Sequence, residues 1–455
     1  MATVNHPITG SAIPSLPGRL ARGLPALGAL VLLAVGLAAV TYKYPPPDLG
    51  WLLAGGIGLF GLVALALSRY DVAVGLGFVL LALVNVEPAP PDVVFAIVMA
   101  VAAATGRFDL ARVPFAILAA LGAFITFNLL SVIEAIEPGL AGLFLSITLY
   151  LAVFSVWLTG FVNSFWRARI VVLTYLAAAV FSAAIGSLAY FYPFPGSESV
   201  LFGAGEATGQ RVKGLFEDAN VFAPFLIPIG LVLLEEMLHP RLIRLKPPLK
   251  VACLIILLLG VTLAFSRAAY VNLVIGVLVL LAVLMLRRGG GARAGALLTV
   301  ILVSGGLVAA TLTVTGQTEF LAERAKRQSY DTKRFSAQRT GIELAEQHPL
   351  GIGPGQFEVV SPVSAHSTYI RTLAEGGLFG FISFFSLMAI TLLLAIRNAA
   401  RGWHTYGIGS AALLAAWCGI LANSFVIDSM HWRHLWVVAA LIWAGAVGGA
   451  ARERS

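Results

Sequence analysis

Three side chains beyond position 200 of the sequence are of the types that act on phosphorylated substrates. Arg211 and Arg267 each carry a guanidinium group, whose forked N–H donors match the oxygens of a phosphate. His366 carries an imidazole, a frequent general base because its ordinary pKa is near neutral. Such a set could neutralise an anionic leaving group and remove the proton of an attacking hydroxyl.

Arg211 lies in the segment Gln-Arg-Val-Lys-Gly-Leu-Phe-Glu-Asp-Ala-Asn-Val-Phe at 210–222, just before an apolar run. An arginine there could equally extend to lipid headgroups. Asp218 and Asn220 follow at the start of the next predicted helix, where both residue types are favoured as N-caps. We expect the capping role for Asn220 in particular.

Arg267 stands between two apolar runs with almost no loop, in Leu-Ala-Phe-Ser-Arg-Ala-Ala-Tyr. An arginine at membrane depth is unfavourable and therefore indicates function, although pairing with a carbonyl or carboxylate of a neighbouring helix would also accommodate it. His366 opens a later run, where an interfacial histidine without a role is common. Nearby arginines would lower its pKa and keep it neutral as a proton acceptor. Arg371 and Glu375 follow on the next turns, and Glu375 could pair with an arginine or orient His366.

Two further motifs are weaker. The sequence Gly-Ile-Gly-Pro-Gly-Gln-Phe at 351–357 matches no nucleotide-binding fingerprint and is interpreted as a tight turn after a helix. Asp428, His431 and His434 have a spacing that could suit a metal, but three such residues are a poor zinc signature. An interfacial loop is the better interpretation, and we expect neither a metal nor a cofactor.

Membrane helices must position these residues. Hydrophobic residues make up 59% and charged residues 11% of the 455-residue chain, whereas soluble proteins have roughly 45–50% and about 25%. This excludes a soluble enzyme, a disordered protein and a nucleic-acid-binding domain. A membrane-spanning helix needs about 20 apolar residues, and fourteen apolar runs occur, at 23–40, 49–67, 72–86, 92–105, 113–133, 139–160, 170–191, 220–238, 249–265, 268–286, 294–315, 373–396, 408–427 and 434–450. The third and fourth runs are short, so we predict an all-α polytopic membrane protein with 12–14 transmembrane helices.

Lysine and arginine are concentrated in alternate short loops, which the positive-inside rule assigns to the cytoplasm. Both termini are then cytoplasmic. The predicted organisation is a tail at 1–22, a single transmembrane domain at 23–450 and a tail at 451–455.

Two long loops, at 192–219 and 316–372, fall on the extracytoplasmic side although they contain several basic residues. Long loops can be translocated despite such charge, and basic residues gathered there suggest an anionic ligand. The second loop, which includes Arg339, mixes apolar and charged residues at helical spacing. We therefore expect it to be a partly helical lid on the membrane surface.

The order of these polar motifs is more specific than any one of them. Arg-x-x-Gly-Leu-Phe-x-Asp-x-Asn precedes one span, and Phe-Ser-Arg-Ala-Ala-Tyr joins two others. A large outer loop with Arg339 and His-Pro-Leu-Gly-Ile-Gly-Pro-Gly-Gln-Phe follows, and then His366 opens a span that contains Glu-Gly-Gly from Glu375. Over residues 205–400 this order resembles the O-antigen ligase/polymerase superfamily of bacterial envelope glycosyltransferases. The chain departs from the usual family pattern at Ala219 and Ser367.

The resemblance implies a metal-independent, inverting membrane glycosyltransferase of the bacterial inner membrane, with its active site facing the periplasm and no cofactor. The donor would be a glycan on polyprenyl (undecaprenyl) diphosphate, and the acceptor a hydroxyl of lipid A–core in a ligase or of another glycan in a polymerase. Membrane lipids would be the other partners, and nucleic acid would not be one. Arg211 and Arg267 would bind the donor diphosphate and His366 would activate the acceptor. The secondary candidates are Arg339, Arg371, Glu375, Asp218 and Asn220.

Other functions remain open at this point. A ligase is favoured over an O-antigen or exopolysaccharide polymerase by the single histidine and the large lid. A transporter of lipid-linked glycans or anions is a further alternative. Transporters place binding residues near the bilayer midplane, often between two related halves, whereas here the polar residues are expected at the outer edge and in one half of the chain.

Overall fold

The computed structural model describes residues 49–85, 89–203, 210–287, 290–326 and 329–452. The predicted tail at 1–22, the apolar run at 23–40 and the last three residues lie outside the described residues.

The chain folds as a bundle of α-helices with two very short hairpins, which confirms the all-α prediction. Each of the thirteen apolar runs after the first coincides with a helix. In chain order the helices are α1 Leu49–Ser68, α2 Tyr70–Val79, α3 Pro90–Ala104, α4 Phe115–Ser131, α5 Pro138–Phe161, α6 Phe165–Phe191, α7 Ala219–Leu238, α8 Pro247–Leu263, α9 Arg267–Leu286, α10 Gly290–Val314, α11 Thr318–Ala325, α12 Ser329–Gln347, α13 Phe357–Val360, α14 Thr368–Ala400, α15 Ser410–Asn423 and α16 Arg433–Arg452.

The hairpins and the single 3₁₀ turns lie in the loops. β1 (Leu201–Phe202) pairs antiparallel with β2 (Arg211–Val212), with Phe202 opposite Arg211. β3 (His404–Thr405) pairs in the same way with β4 (Ile408–Gly409). The 3₁₀ turns are Leu80–Ala82, Leu110–Arg112, Val132–Glu134 and Ser197–Val200.

Within the described ranges, seven helices are long and apolar enough to cross a membrane, and six further apolar helices have 10–17 residues. The chain is therefore a polytopic membrane protein. The number of complete crossings, 12–14, stays a prediction because the shorter helices need tilt or local thinning of the bilayer to span it.

Local signals in the sequence explain where several helices begin. Proline occupies the first turn of α3, α5 and α8, where its missing N–H is not needed. Side chains of Ser164, Asp218 and Ser367 accept a hydrogen bond from the first turn of α6, α7 and α14 respectively.

The interior of the bundle is built around α7, whose membrane-length segment is 83% buried. The side chains of four tryptophans in α5, α15 and α16 are fully buried, namely Trp157, Trp417, Trp436 and Trp443. α15 packs closely against α9, because Gly419 leaves room for the backbone and side chain of Asn272. This packing fixes the ends of α7, α8, α9, α14 and α15 relative to one another.

Alternate loops meet at one end of the bundle. The backbone N–H of Val84 donates to Leu215 (2.9 Å), that of Glu137 to the side chain of Gln356 (2.8 Å), and that of Thr368 to Ser424 (2.9 Å). Both long loops lie at this end, which we call the site end. The second long loop contains α11, α12 and α13, as the prediction of a partly helical loop required.

Candidate active site

Arg211 lies on β2 at the site end, and its side chain is buried. Its Nε donates to the carbonyl of Ala264 (2.8 Å), and its terminal nitrogen donates to Oδ1 of Asn220 (2.8 Å). The ring of Phe202, on the paired strand, lies 5.8 Å from the guanidinium carbon. The arginine is thus held in a fixed orientation inside the protein rather than extended to lipid headgroups.

The capping role expected for Asn220 is wrong, because the N-cap of α7 is Asp218. Asp218 caps α7, since its carboxylate accepts from the backbone N–H of Asn220 (2.8 Å). Asn220 is already inside the first turn, and its side-chain amide bridges Asp218 (3.1 Å) to Arg211. The three residues therefore form a chain of hydrogen bonds from carboxylate to amide to guanidinium.

Arg267 begins α9 at the corner that follows α8. The carbonyl of Ala264, which accepts from Arg211, belongs to this same corner. The two arginines predicted to act together are therefore brought to one place, although they are 56 positions apart in the chain. Arg267 is half-buried and donates from one terminal nitrogen to the carbonyl of Lys326 (3.3 Å).

The first helix of the lid is anchored on this corner. Phe265 has a φ of 47° and is fully buried, and its ring meets that of Phe320 in α11 edge to face at 4.5 Å. The hydroxyl of Tyr190 donates to the side chain of Gln317 just before α11 (2.6 Å). Aromatic packing and a hydrogen bond thus fix where the lid begins, against the corner that contains Phe265 and Arg267.

His366 immediately precedes Ser367, the N-cap of α14, and is half-buried. Its backbone is left-handed, with a φ of 44°. Within the described part of the chain its imidazole makes no hydrogen bond. Burial and the positive charge of Arg334 lower the pKa of His366, while the carboxylates of Asp218 and Asp428 act in the opposite direction. The imidazole is therefore neutral at physiological pH, as a proton acceptor must be.

The charges around His366 come from distant parts of the sequence. Asp218 caps α7 and, through Asn220, reaches Arg211. Asp428 lies in the loop between α15 and α16, and Arg334 lies on α12. His366 is thus within electrostatic reach of Asp218, which is linked to Arg211, and of Asp428 in the α15–α16 loop.

Arg371 is the most deeply buried of the candidate arginines, with 5% of its side chain exposed. It pairs with Glu358, with Asp428 at 3.0 Å and with Glu375 at 3.5 Å, and it donates to the hydroxyl of Ser364 at 3.2 Å. A guanidinium surrounded by three carboxylates is a poor site for a diphosphate. Arg371 therefore belongs to the framework of the site rather than to its anion-binding part.

Glu375 does not orient His366 in the described residues. Its carboxylate accepts from the backbone N–H of Gly355 (2.9 Å) and of Phe357 (3.2 Å) and pairs with Arg371. The N–H groups of Ile352 and Gly353 donate to carbonyls of α14. Because these backbone donors are already used, the glycine-rich segment 351–357 is a tight turn fastened to α14 and is not a phosphate cradle.

Arg339 is not brought into the site. Its side chain is 84% exposed on α12 and pairs with Glu343 one turn later (3.1 Å). Arg334, on the same helix, is the basic residue that acts on His366. The helical spacing of α12 could have identified Arg334 from the sequence. The buried residues Ala337 and Gly341 lie three and seven positions after Arg334, on the same face of the helix.

The three possible metal ligands near the α15–α16 loop, namely Asp428, His431 and His434, each contact a different partner. Asp428 binds Arg371, Nε2 of His431 lies 3.0 Å from the hydroxyl of Thr148, and the ring of His434 stacks on Trp432. Burial lowers the pKa of His431 to about 4. Among the described residues no group of three or more histidine, cysteine or acidic side chains is arranged to hold a metal ion.

Comparison with known proteins bears on the part of the chain that contains this site. Residues 252–385 match the family model described as O-antigen ligase, a segment of less than a third of the chain that includes Arg267, His366 and Arg371. No curated protein matches the chain.

Proposed function

From its place in the O-antigen ligase/polymerase superfamily, which the match over residues 252–385 supports, we propose that this protein is a glycosyltransferase of the bacterial inner membrane. It transfers a glycan from polyprenyl diphosphate to an acceptor hydroxyl on the extracytoplasmic side. The superfamily contains both ligases and polymerases. Membership therefore supports glycosyl transfer as the reaction class, and the donor and the acceptor are inferred from the site.

The observation that carries the proposal is the convergence of Arg211, Arg267 and His366 at one end of the bundle. The two arginines share the corner at 264–267, and Asp218 connects Arg211, through Asn220, to the surroundings of His366. A diphosphate at the corner would face guanidinium groups, and an acceptor hydroxyl beside it would face a neutral imidazole. Within the described residues, the opposite end of the bundle contains none of these three side chains.

In the proposed reaction the diphosphate is the leaving group. As the bond between the anomeric carbon and the diphosphate oxygen breaks, negative charge develops on that oxygen, and Arg211 and Arg267 stabilise it. Two guanidinium groups supply the positive charge that a divalent ion supplies in other transferases. We therefore propose that transfer is independent of metal ions.

The acceptor hydroxyl attacks the anomeric carbon from the opposite side. Its proton passes to His366, whose neutral imidazole is suited to accept it, and the new glycosidic bond forms with inversion. Polyprenyl diphosphate leaves, and His366 returns the proton to the extracytoplasmic solvent. The donor is already activated by its diphosphate ester, so no further energy source is required at this face.

We propose a ligase with lipid A–core as acceptor, with an O-antigen or exopolysaccharide polymerase as the alternative. The lid favours a large acceptor, because α11 and α12 lie over the corner and beside His366. The transport alternative is weaker. It calls for binding residues near the middle of the membrane, whereas Arg211 lies on β2 in a loop, and Arg267 and His366 lie at the N-terminal ends of α9 and α14.

The test uses the purified protein in lipid with a polyprenyl-diphosphate oligosaccharide, with and without lipid A–core, and analyses the products on a glycan gel. A product that forms only with lipid A–core identifies a ligase, and a ladder formed from the donor alone identifies a polymerase. The control is His366→Ala, which should lose turnover but retain donor binding. Absence of any histidine-dependent product under both conditions would contradict the proposal.

A further inference from the structure

We propose that Arg371 and Asp428 close a clamp around His366 and act as positioning residues of the transfer reaction. This inference rests on the proposed role of His366 as the general base. Arg371 and Asp428 lie outside the corner at 264–267 and join the end of the second long loop to the α15–α16 loop at the site end.

The backbone at His366 needs an external restraint. A φ of 44° lies in the left-handed region, which is disfavoured for a residue with a Cβ and persists only where the surrounding structure imposes it. The adjacent Ala365 is fully buried and Ser367 is the N-cap of α14. The direction of the imidazole therefore depends on how firmly the chain is held on both sides of His366.

On the C-terminal side the restraint comes from the loop between α15 and α16. The backbone N–H of Thr368 donates to the carbonyl of Ser424 (2.9 Å). The hydroxyl of Thr368 in turn accepts from the backbone N–H of Ser429 (2.7 Å) and lies 3.2 Å from the carbonyl of Ile427. Thr368 is fully buried, so these bonds are shielded from water.

On the N-terminal side the restraint comes from Arg371. Its terminal nitrogen donates to the hydroxyl of Ser364, two residues before His366 (3.2 Å). Its Nε pairs with Asp428 (3.0 Å), which lies in the same α15–α16 loop that holds Thr368. The contacts thus form a closed ring that runs from His366 through Thr368, the loop, Asp428, Arg371 and Ser364 back to His366.

The guanidinium that closes this ring is itself fixed. Glu375 and Glu358 also pair with Arg371, and Glu375 is tied to the backbone of the turn at 351–357. A planar group with donors on several sides can join four segments in this way, whereas an ammonium group cannot reproduce the geometry. The cluster is therefore built to hold positions rather than to bind an anion.

Asp428 has a second effect, because its charge reaches His366. The charged groups that act on the imidazole are Arg334 on α12, Asp218 before α7 and Asp428 in the α15–α16 loop. The negative charge of Asp428 opposes the lowering of the His366 pKa by burial and by Arg334. Removing that charge should therefore lower the pKa further and make the imidazole a weaker base.

The experiment compares Asp428→Asn and Thr368→Val with Thr368→Ser, which keeps the hydroxyl, in the full-length protein in lipid. Asp92→Asn is the matched control, because Asp92 forms an ion pair with Arg433 at the same end of the bundle and is not itself a member of the ring. The readouts are kcat, the KM for the polyprenyl-diphosphate donor and the pH dependence of kcat/KM.

We expect kcat of Asp428→Asn and Thr368→Val to fall by about 10- to 100-fold, since misplacing a reacting group by about 1 Å has effects of this size. The donor KM should change less than twofold, and Thr368→Ser should retain activity. In Asp428→Asn the acidic limb of kcat/KM should move to lower pH.

Two results would overturn the clamp. One is wild-type kcat with an unmoved acidic limb in Asp428→Asn, and the other is an equal loss in Asp92→Asn, which would indicate general destabilisation. The proposed function fails separately, since it requires that His366→Ala abolish turnover in the otherwise unchanged protein. If His366→Ala remained active, the general base would be wrong whatever the clamp variants did.

Discussion

A guanidinium group stabilises a leaving diphosphate well only if its orientation is set before the substrate arrives, because reorientation during the reaction would reduce the gain. Arg211 meets this condition through the carbonyl of Ala264 and the amide of Asn220. Arg371, with three carboxylates around it, does not offer its charge in the same way. The same residue type thus has two different tasks within one site.

The first prediction concerns the arginine corner. Arg211→Ala and Arg267→Ala should each reduce transfer by at least about 100-fold, the loss that follows removal of one preorganised donor to a developing oxyanion. Arg339→Ala should leave transfer unchanged, because Arg339 is exposed and pairs only with Glu343 among the described residues. The measurement is product formation per amount of folded, membrane-inserted protein. Normal activity in either corner variant would remove that arginine from the mechanism.

The second prediction concerns the pH dependence conferred by His366. Burial is the main cause that lowers its pKa, and Arg334 lowers it further, so the acidic limb of kcat/KM should lie below the ordinary histidine pKa of about 6.5. Replacing Arg334 by glutamine removes a positive charge and raises the pKa. The limb of Arg334→Gln should consequently move to higher pH, and a shift to lower pH would contradict the assignment of the base.

At the scale of elements, the site depends on a break in α14. Gly377 has φ 64° and ψ −171°, a conformation that is essentially confined to glycine. The break allows the turn at 351–357 to approach the helix, so that the N–H of Leu378 donates to the carbonyl of Pro349 (3.1 Å). Glu375, two residues before the break, holds the turn at 351–357 through its side chain.

The third prediction tests this break. In Gly377→Ala the new Cβ would overlap the carbonyl oxygen of Pro349 in addition to the unfavourable φ, and we expect a loss of about 1–3 kcal/mol in stability. Thermal unfolding in detergent would measure it. Gly380→Ala, on the same helix, is the control, because its Cβ would meet only Phe127 at an ordinary 3.9 Å. Equal stability of the two variants would show that the break is not needed.

At the scale of the whole molecule, the fold separates two kinds of charge. The site end contains Arg211, Arg267 and His366 together with the clamp of Arg371 and Asp428. The opposite end contains ion pairs that tie loops to helices, such as Arg287 with Glu235 (3.6 Å) and Arg167 with Asp71 (3.2 Å). The positive-inside rule expects excess lysine and arginine at a cytoplasmic face, so we propose that the site end is extracytoplasmic.

The fourth prediction tests this orientation. Arg339→Cys, on the exposed face of the lid, should react with a membrane-impermeant maleimide in intact spheroplasts. Lys246→Cys, exposed at the opposite end, should react only after permeabilisation. The native Cys253 and Cys418 lie in the apolar helices α8 and α15 and provide the background. The reverse pattern would place the site in the cytoplasm and contradict the use of an extracytoplasmic acceptor.

The amino-acid sequence alone determined the helices and the chemical types of the site residues. Apolar runs of membrane length can form little except helices, because every backbone group inside a bilayer needs an internal partner, and the thirteen described runs are helices. Arg267 could be selected because a charged group between two apolar runs with almost no loop is rare, and Arg211 and His366 because their chemical types suit phosphate binding and proton transfer. These inferences need only local information.

The tertiary structure decided which of these groups meet and what each one does. Asp218 caps α7 while Asn220 binds Arg211, and Arg334 rather than Arg339 lowers the pKa of His366; both outcomes depend on packing between segments far apart in the chain. The pairing of Arg371 with Asp428 joins residues 57 positions apart, and no local pattern specifies it. The directions of the side chains and the distances between them are set by packing between helices. Local sequence patterns do not specify that packing.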